Sequence, residues 1–182
     1  MEIRKVQIGD IPQIKTIADS LVVTPKTKDK NFGFYDYCLN QEHYQRRTQS
    51  DLFLIGCINS EIEGFCMAYD SGFVKKLIGQ EPQLKSDTIF QYLAGLQEDY
   101  VYIDQLAVRK PKTFLGSVCA YSLVDRVKEM SRCKDSLIGV VSHFPWRNEP
   151  AIRFCKHQGV KLIEEIGYRD KIIFGVYRLE LV

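Results

Sequence analysis

The chain of 182 residues has no long hydrophobic run, no C-x-x-C pair and no marked excess of either charge. No segment reaches about 18 uninterrupted apolar residues, so nothing in the sequence predicts a bilayer-spanning helix. The opening MEIRKVQIGD lacks the apolar core of a signal peptide, which predicts a protein that is not exported. Lys and Arg number 25 against 23 Asp and Glu, a formal charge of +2. A nucleic-acid binder needs a concentrated basic face, and so even a balance argues against that class of partner. The six cysteines, Cys38, Cys57, Cys66, Cys119, Cys133 and Cys155, are scattered, and His43, His143 and His157 do not frame them. That spacing supports neither a zinc site nor a disulfide framework, so the expectation is no metal. Most of these cysteines sit among apolar residues, where free Cys behaves as a small hydrophobe. Such usage predicts a reducing, cytoplasmic setting.

What is present describes an ordinary globular chain, 45% hydrophobic and 26% charged. The length suits a single domain over residues 1–182 with one core. Ile3, Val6 and Ile8 mark a first strand, ended by Gly9. Asp10 with Gln13 reads as a capping box opening the helix IPQIKTIADS, with Pro12 in its first turn. Residues 20–34 read as a loop and NQEHYQRRTQ as a short helix. DLFLIGCI and IEGFCMAY form a hairpin around Asn59-Ser60-Glu61. Between 70 and 98, Gly72, Gly79 and Pro82 break the pattern, and only SDTIFQYLAGLQ reads as a helix.

VYIDQLAV is a strand, and Gly116 to Met130 spaces Val118, Tyr121, Val124 and Val127 as the stripe of an amphipathic helix. DSLIGVVS is a buried strand. Asn148 caps a further helix, with Pro150 in its first turn and Gly159 as its stop. KLIEEIGY and KIIFGVYRLEL close the chain around an Arg169-Asp170 turn. The alternation predicts an α/β fold, a mixed central sheet of about seven strands flanked by helices.

The stretch KTFLGSVCAY, Lys112 to Tyr121, joins a strand to a helix. A loop there aims the helix's free N–H groups back at the strand end, an anion site suited to a diphosphate. Gly116 and Ser117 are small enough for the tightest point. Taken alone, a glycine before a helix is more often a turn residue, and Arg109, Lys110 and Lys112 read as a solvated turn.

The neighbouring residues add a resemblance. Leu106-Ala107-Val108 followed by Thr113, Gly116 and Val118 resembles the strand end and the Q/R-x-x-G-x-G/A loop of the GNAT N-acetyltransferase superfamily, with Gly116 as its one matching signature position. Asn148, Ala151, Phe154 and Gly159 fit the family's N-x-x-A-x-x-F-Y-x-x-x-G-F pattern, and the opening strand and helix are similar too. The resemblance implies a single-domain GNAT-like fold that uses acetyl-CoA, or CoA, as co-substrate. It implies that Leu106, Ala107 and Val108 bind the pantetheine arm as an added strand, and that an N–H near Leu106 polarises the thioester carbonyl. The N–H groups of Phe114, Leu115, Gly116, Ser117 and Val118 would take the diphosphate, with Thr113 at the loop's Q/R position, Lys110 and Lys112 toward the adenosine phosphates and Asn148 on the pantetheine.

An amine acceptor must lose a proton, and Asp104 stands where some members place a glutamate base. Tyr102 and Glu98 are its reserves. Many members protonate the leaving thiolate with a tyrosine after the helix's Phe, where this chain has Cys155; Tyr121 and water are the alternatives. The implied partners are acetyl-CoA and a primary amine, small molecule, amino acid or peptide, with edge strands at the C-terminus pointing to a homodimer. The aromatic run Phe32, Phe34, Tyr35 and Tyr37, and Trp146, would line the site or cover the core. A second reading stays open. The absent loop arginine, Val118 and Cys155 also fit a weak or inactive acyl-CoA-binding module.

Overall fold

A computed structural model describes residues 1–23, 34–35, 39–168 and 171–181. The elements run β1 (Glu2–Lys5), α1 (Ile11–Ser20), β2 (Val22–Val23), β3 (Phe34–Tyr35), α2 (Gln41–Arg47), β4 (Phe53–Ile58), β5 (Glu61–Asp70), α3 (Ser71–Gln80) and α4 (Thr88–Gly95). They continue with β6 (Tyr100–Val108), α5 (Phe114–Met130), β7 (Ser136–Phe144), α6 (Glu149–His157), β8 (Lys161–Tyr168) and β9 (Ile172–Glu180). Seven strands form one mixed sheet in the order β1-β4-β5-β6-β7-β9-β8, the α/β class the alternation predicts. Contacts group the chain into two compact units, Met1–Ala68 with Asp104–Ser131, and Tyr69–Ile103 with Arg132–Val182.

In the first unit β1 pairs antiparallel with β4, from Glu2↔Cys57 to Lys5↔Leu54. The β4–β5 hairpin turns at Asn59 and Ser60, both at positive φ (49° and 67°), a backbone twist that suits a tight hairpin. Helix α1 starts and stops where the apolar spacing puts it and buries Ile11, Ile14, Ile17 and Ala18. Its expected cap is different, however. Asp10 makes no cap bond to α1; its carboxylate takes the Gln7 N–H at 2.7 Å and two bonds of 2.8 Å from the Arg4 guanidinium. The first strand likewise stops at Lys5, short of Ile8, which is exposed. Helix α5 begins at Phe114, two residues before the expected Gly116. It packs close on the sheet because Gly64 has no side chain: a Cβ there would come within 3.0 Å of Cys119 Sγ.

In the second unit β6 pairs parallel with β7 from Tyr100↔Ser136 to Ile103↔Gly139. β7 and β8 then flank β9 in antiparallel ladders. Helix α3 is an element the sequence reading missed. Asp70 caps it by accepting the Phe73 N–H at 2.7 Å, and it buries Val74 and Leu77. Helix α6 lays Ala151, Ile152 and Cys155 on Val141 and Tyr177. Beside them His143 sits over Gly175, where a Cβ would meet the imidazole at 2.5 Å. Its ring joins Glu165 (2.5 Å from Nδ1) and the Tyr177 hydroxyl (3.1 Å from Nε2).

Phe32, Tyr37 and the Arg169-Asp170 turn lie outside the described residues, and for Phe34 and Tyr35 only the main chain is described. No helix among the described residues is long and apolar enough to cross a membrane.

Candidate active site

The site is built on the second half of β6 and the turn into α5, all within the first unit. Asp104 is 3% exposed at its side chain, and Oδ2 lies 3.9 Å from Nε of Arg47, itself fully buried. Arg47 comes from α2, whose start Asn40 caps by accepting the His43 N–H at 2.9 Å, and it also donates to the His43 carbonyl at 3.1 Å. One helical turn earlier on that helix, Tyr44 donates its hydroxyl to Gln105 Oε1 at 2.8 Å and packs edge-on against Phe65. Gln105 is buried, and its Nε2 finds no hydrogen-bond acceptor among the described residues. The buried guanidinium compensates the Asp104 charge in a place where an uncompensated carboxylate would be costly.

Downstream, Leu106 is half-buried and Ala107 and Val108 are buried. Arg109 closes the strand: its main-chain N–H donates to the Glu63 carbonyl at 2.7 Å and its Nε to the Ile62 carbonyl at 3.0 Å. At the head of α5, Thr113 is the cap. Its Oγ1 donates to the Lys110 carbonyl at 2.8 Å and accepts the Gly116 N–H at 3.1 Å, while its own carbonyl takes the Ser117 N–H at 3.0 Å. The expected donor set of Phe114 through Val118 therefore narrows. Gly116 and Ser117 spend their N–H groups inside the turn, and those of Phe114 and Leu115 meet no acceptor among the described residues. Gly116 has a local reason to be glycine. A Cβ there would lie 2.1 Å from the Lys110 carbonyl oxygen. Phe114 stands 86% exposed beside exposed Lys110.

Lys112, Thr113 and Ser117 are at the surface, and Val118 and Tyr121 are half-buried on α5. Asn148 and Cys155 belong to the second unit. Asn148 Oδ1 caps α6 by accepting the Ala151 N–H at 3.2 Å. The Cys155 thiol is pushed up to about 11 by burial, as expected of sulfur packed among apolar side chains. The reserves have structural places. Tyr102 is buried against the ring of Phe90, and Glu98 binds Arg178 at 2.5 Å and the Ser136 hydroxyl. Trp146 accepts the Ser142 hydroxyl on its main-chain carbonyl. Among the described residues no group of His, Cys, Asp and Glu is placed to hold a metal ion.

The sequence singles out Asp104 as a candidate but not the neighbouring Arg47, Tyr44 and Gln105. The available signal was Tyr44 and Arg47 sharing one face of a short helix, and a polar Gln105 inside an otherwise apolar strand.

No protein-family model matches the chain, and no curated protein matches it in sequence. Solved structures do match its shape. Ard1 from Thermoplasma volcanium superposes with a TM-score of 0.67 at 16% identity, over 100% of this chain and 97% of that one. An agmatine N-acetyltransferase mutant gives 0.67 at 12% identity over 99% of each chain. Arabidopsis thaliana Naa50, in complex with the bisubstrate analogue CoA-Ac-MVNAL, gives 0.64 at 15% identity over 98% of this chain and 97% of that one. At such identities it is the fold alone that is shared: this protein has the fold of the GNAT N-acetyltransferases.

Proposed function

We propose that the protein is an acetyl-CoA-dependent N-acetyltransferase, moving an acetyl group to a primary amine by direct transfer. The observation that carries this reading is the pair of N–H groups at Phe114 and Leu115. They head α5 directly after β6, without acceptors among the described residues, in a chain of this fold. Oriented amides at a helix start suit a diphosphate, and the adjacent Lys110 and Lys112 suit the remaining phosphate charge. Residues 106–108 lie beyond the last β6–β7 pair, Ile103↔Gly139, and offer main chain along which a pantetheine arm adds as a strand. The NatB acetyltransferase complex, of the same fold, is solved bound to CoA, which supports CoA as the co-substrate.

The chemistry then runs through this chain's own groups. Asp104 receives the proton that the amine must lose, while Arg47 keeps the carboxylate compensated. The nitrogen lone pair forms the C–N bond as the thioester carbonyl oxygen takes charge beside an N–H near Leu106. The C–S bond breaks with its electron pair on sulfur, and the sulfur takes a proton from Tyr121 or water. Burial raises the Cys155 thiol to about 11, which favours Tyr121 or water over it as the donor.

A second reading, an acyl-CoA-binding module without turnover, is favoured by one observation: Thr113 Oγ1 already holds the Gly116 N–H. Calorimetric titration with acetyl-CoA and CoA, followed by thiol release across a panel of amines, separates the two. Binding with turnover that Asp104→Asn abolishes is the expected result. Binding without turnover on any amine selects the module, and no binding at millimolar ligand removes both.

A further inference from the structure

We infer that the outer edge of β8 is a self-association surface: two copies of this chain pair β8 with β8 antiparallel, Lys161 of each copy facing Glu164 of the other. The inference does not depend on the acetyl-transfer reading.

β8 ends the seven-strand order, with β9 on one side and no strand on the other among the described residues. A strand in that position turns a row of main-chain N–H and C=O groups outward, a template for another strand. Such edges are ordinarily blunted by shortness, by Pro or by charge. The opposite end of the order shows this. β1 has four residues, and its Arg4 and Lys5 are tied to Asp10 and Asp51. β8 has eight residues without Pro, and 161–165 are all exposed, Leu162 at 47% and Ile163 at 48%. Two adjacent aliphatic side chains half in water on a strand edge gain by being covered.

Face and charge then select the occupant and its register. Lys161 and Glu164 stand opposite Arg178 and Val176, alternate residues of β9, so the bulge between Leu162 and Glu164 puts both on one face of the sheet. Tyr92 of α4 lies beside Glu164 there, and Lys161 has no ion pair among the described residues. When a strand pairs antiparallel with its own copy, the two-fold axis stands perpendicular to the sheet, and opposed side chains share a face. Setting Lys161 against Glu164 of the second copy meets that condition twice. Leu162 and Ile163 of both copies then gather around the axis. Opposing Lys161 to Glu165 fails, since Glu165 pairs with Gly175 and joins His143 on the other face. Centring the pair on Glu164 would oppose two carboxylates. A foreign strand would have to bring this charge order, whereas a second copy has it by symmetry.

The test is sedimentation velocity over a range of concentrations. It compares the wild type with Lys161→Glu, Glu164→Lys, the double exchange Lys161→Glu with Glu164→Lys, and Ile163→Lys. The wild type should approach twice the mass of one chain as concentration rises. Each single charge exchange sets like charges opposite one another at both pairs and weakens the dimer by about tenfold. The double exchange restores it, which a merely structural effect of either residue would not do. Ile163→Lys brings two cations to the axis and weakens the dimer as well. All these positions are exposed, so melting temperature verifies that each variant is folded. Lys161→Glu and Ile163→Lys cover the case in which Glu164→Lys disturbs Tyr92 and α4. The inference is overturned by a dimer indifferent to Lys161→Glu and Ile163→Lys, or by a folded double exchange no tighter than the single ones. A wild type that stays monomeric at every concentration overturns it too, and leaves the edge open to a strand of another protein.

Discussion

Arg47 Nε lies 3.9 Å from Asp104 Oδ2, with the arginine side chain fully buried and the aspartate 3% exposed. At that separation inside a protein the attraction is large, but so is the cost of taking both charges out of water. Removing one partner is therefore worse than removing both. Arg47→Met should destabilise the fold by about 3–5 kcal/mol, because it removes a buried cation from beside a buried carboxylate. Arg47→Met with Asp104→Leu should recover most of that loss while abolishing turnover. Urea unfolding of the two variants measures this, and equal stability would show that the carboxylate does not depend on Arg47.

Gly116 gives a second, local prediction. A methyl there meets the Lys110 carbonyl oxygen at 2.1 Å, so Gly116→Ala must push the head of α5 away from the strand end. Melting temperature and CoA affinity should fall together. Gly79, in α3, has nothing within 4 Å of its missing Cβ. Gly79→Ala should stabilise the protein by roughly 0.5–1 kcal/mol, through helix propensity, without touching CoA affinity. A Gly116→Ala variant that binds CoA as tightly as the wild type would show that this turn does not position the ligand.

These two sites also show what a sequence can and cannot disclose. The strands of the seven-stranded sheet, the span of α1 and the cap of α6 by Asn148 were legible because each follows from local periodicity or turn chemistry, whereas β1 was read too long and the two-residue pair β2–β3 fell at a stretch read as loop. Helix α3 was not, since Gly72 and Gly79 mimic loop punctuation, although tertiary burial of Val74 and Leu77 holds the helix together. Asp10 shows the converse error: a capping residue read from its spacing is claimed instead by Arg4 from β1. The loop glycine, singled out as a phosphate ligand, has a structural duty as well, since its N–H serves Thr113. Asp104 could be placed on its strand from the sequence. Arg47 and Tyr44 could not be joined to it, because only the packing of α2 brings them together.

The Arg4–Asp10 pair predicts a loss of stability toward acid. The hydrogen bonds from Arg4 hold the Asp10 carboxyl below its usual range, with the Gln7 N–H contributing in the same direction. A carboxyl lowered in the folded state adds stability above its unfolded pKa, and loses it as pH falls through the folded value. Asp99, lowered by Lys134 and then Ser71, adds to the same trend. Asp10→Asn should flatten the fall in unfolding midpoint from about pH 5 downward. A variant with the same acid slope as the wild type would place the titration elsewhere.

The buried thiols predict the opposite edge. Burial raises Cys66 to about 12 and Cys119 and Cys155 to about 11, against about 8.5 for a free thiol. A group that holds its proton more tightly when folded supplies stability that is complete below its unfolded pKa. That stability drains away as pH climbs through the folded value. The unfolding midpoint should therefore decline steadily from about pH 8.5 upward, the unfolded chain shedding thiol protons that the native one retains. Alkylation with iodoacetamide, followed by mass spectrometry, reads the same physics residue by residue. Exposed Cys133 should be modified at pH 8, while Cys155 stays unmodified until the pH nears its own titration. If Cys155 were alkylated as fast as Cys133 at pH 8, its sulfur would be open and ionised. A thiolate holds no proton to give the departing sulfur, so that result would overturn the burial of Cys155 and leave protonation to Tyr121 or water.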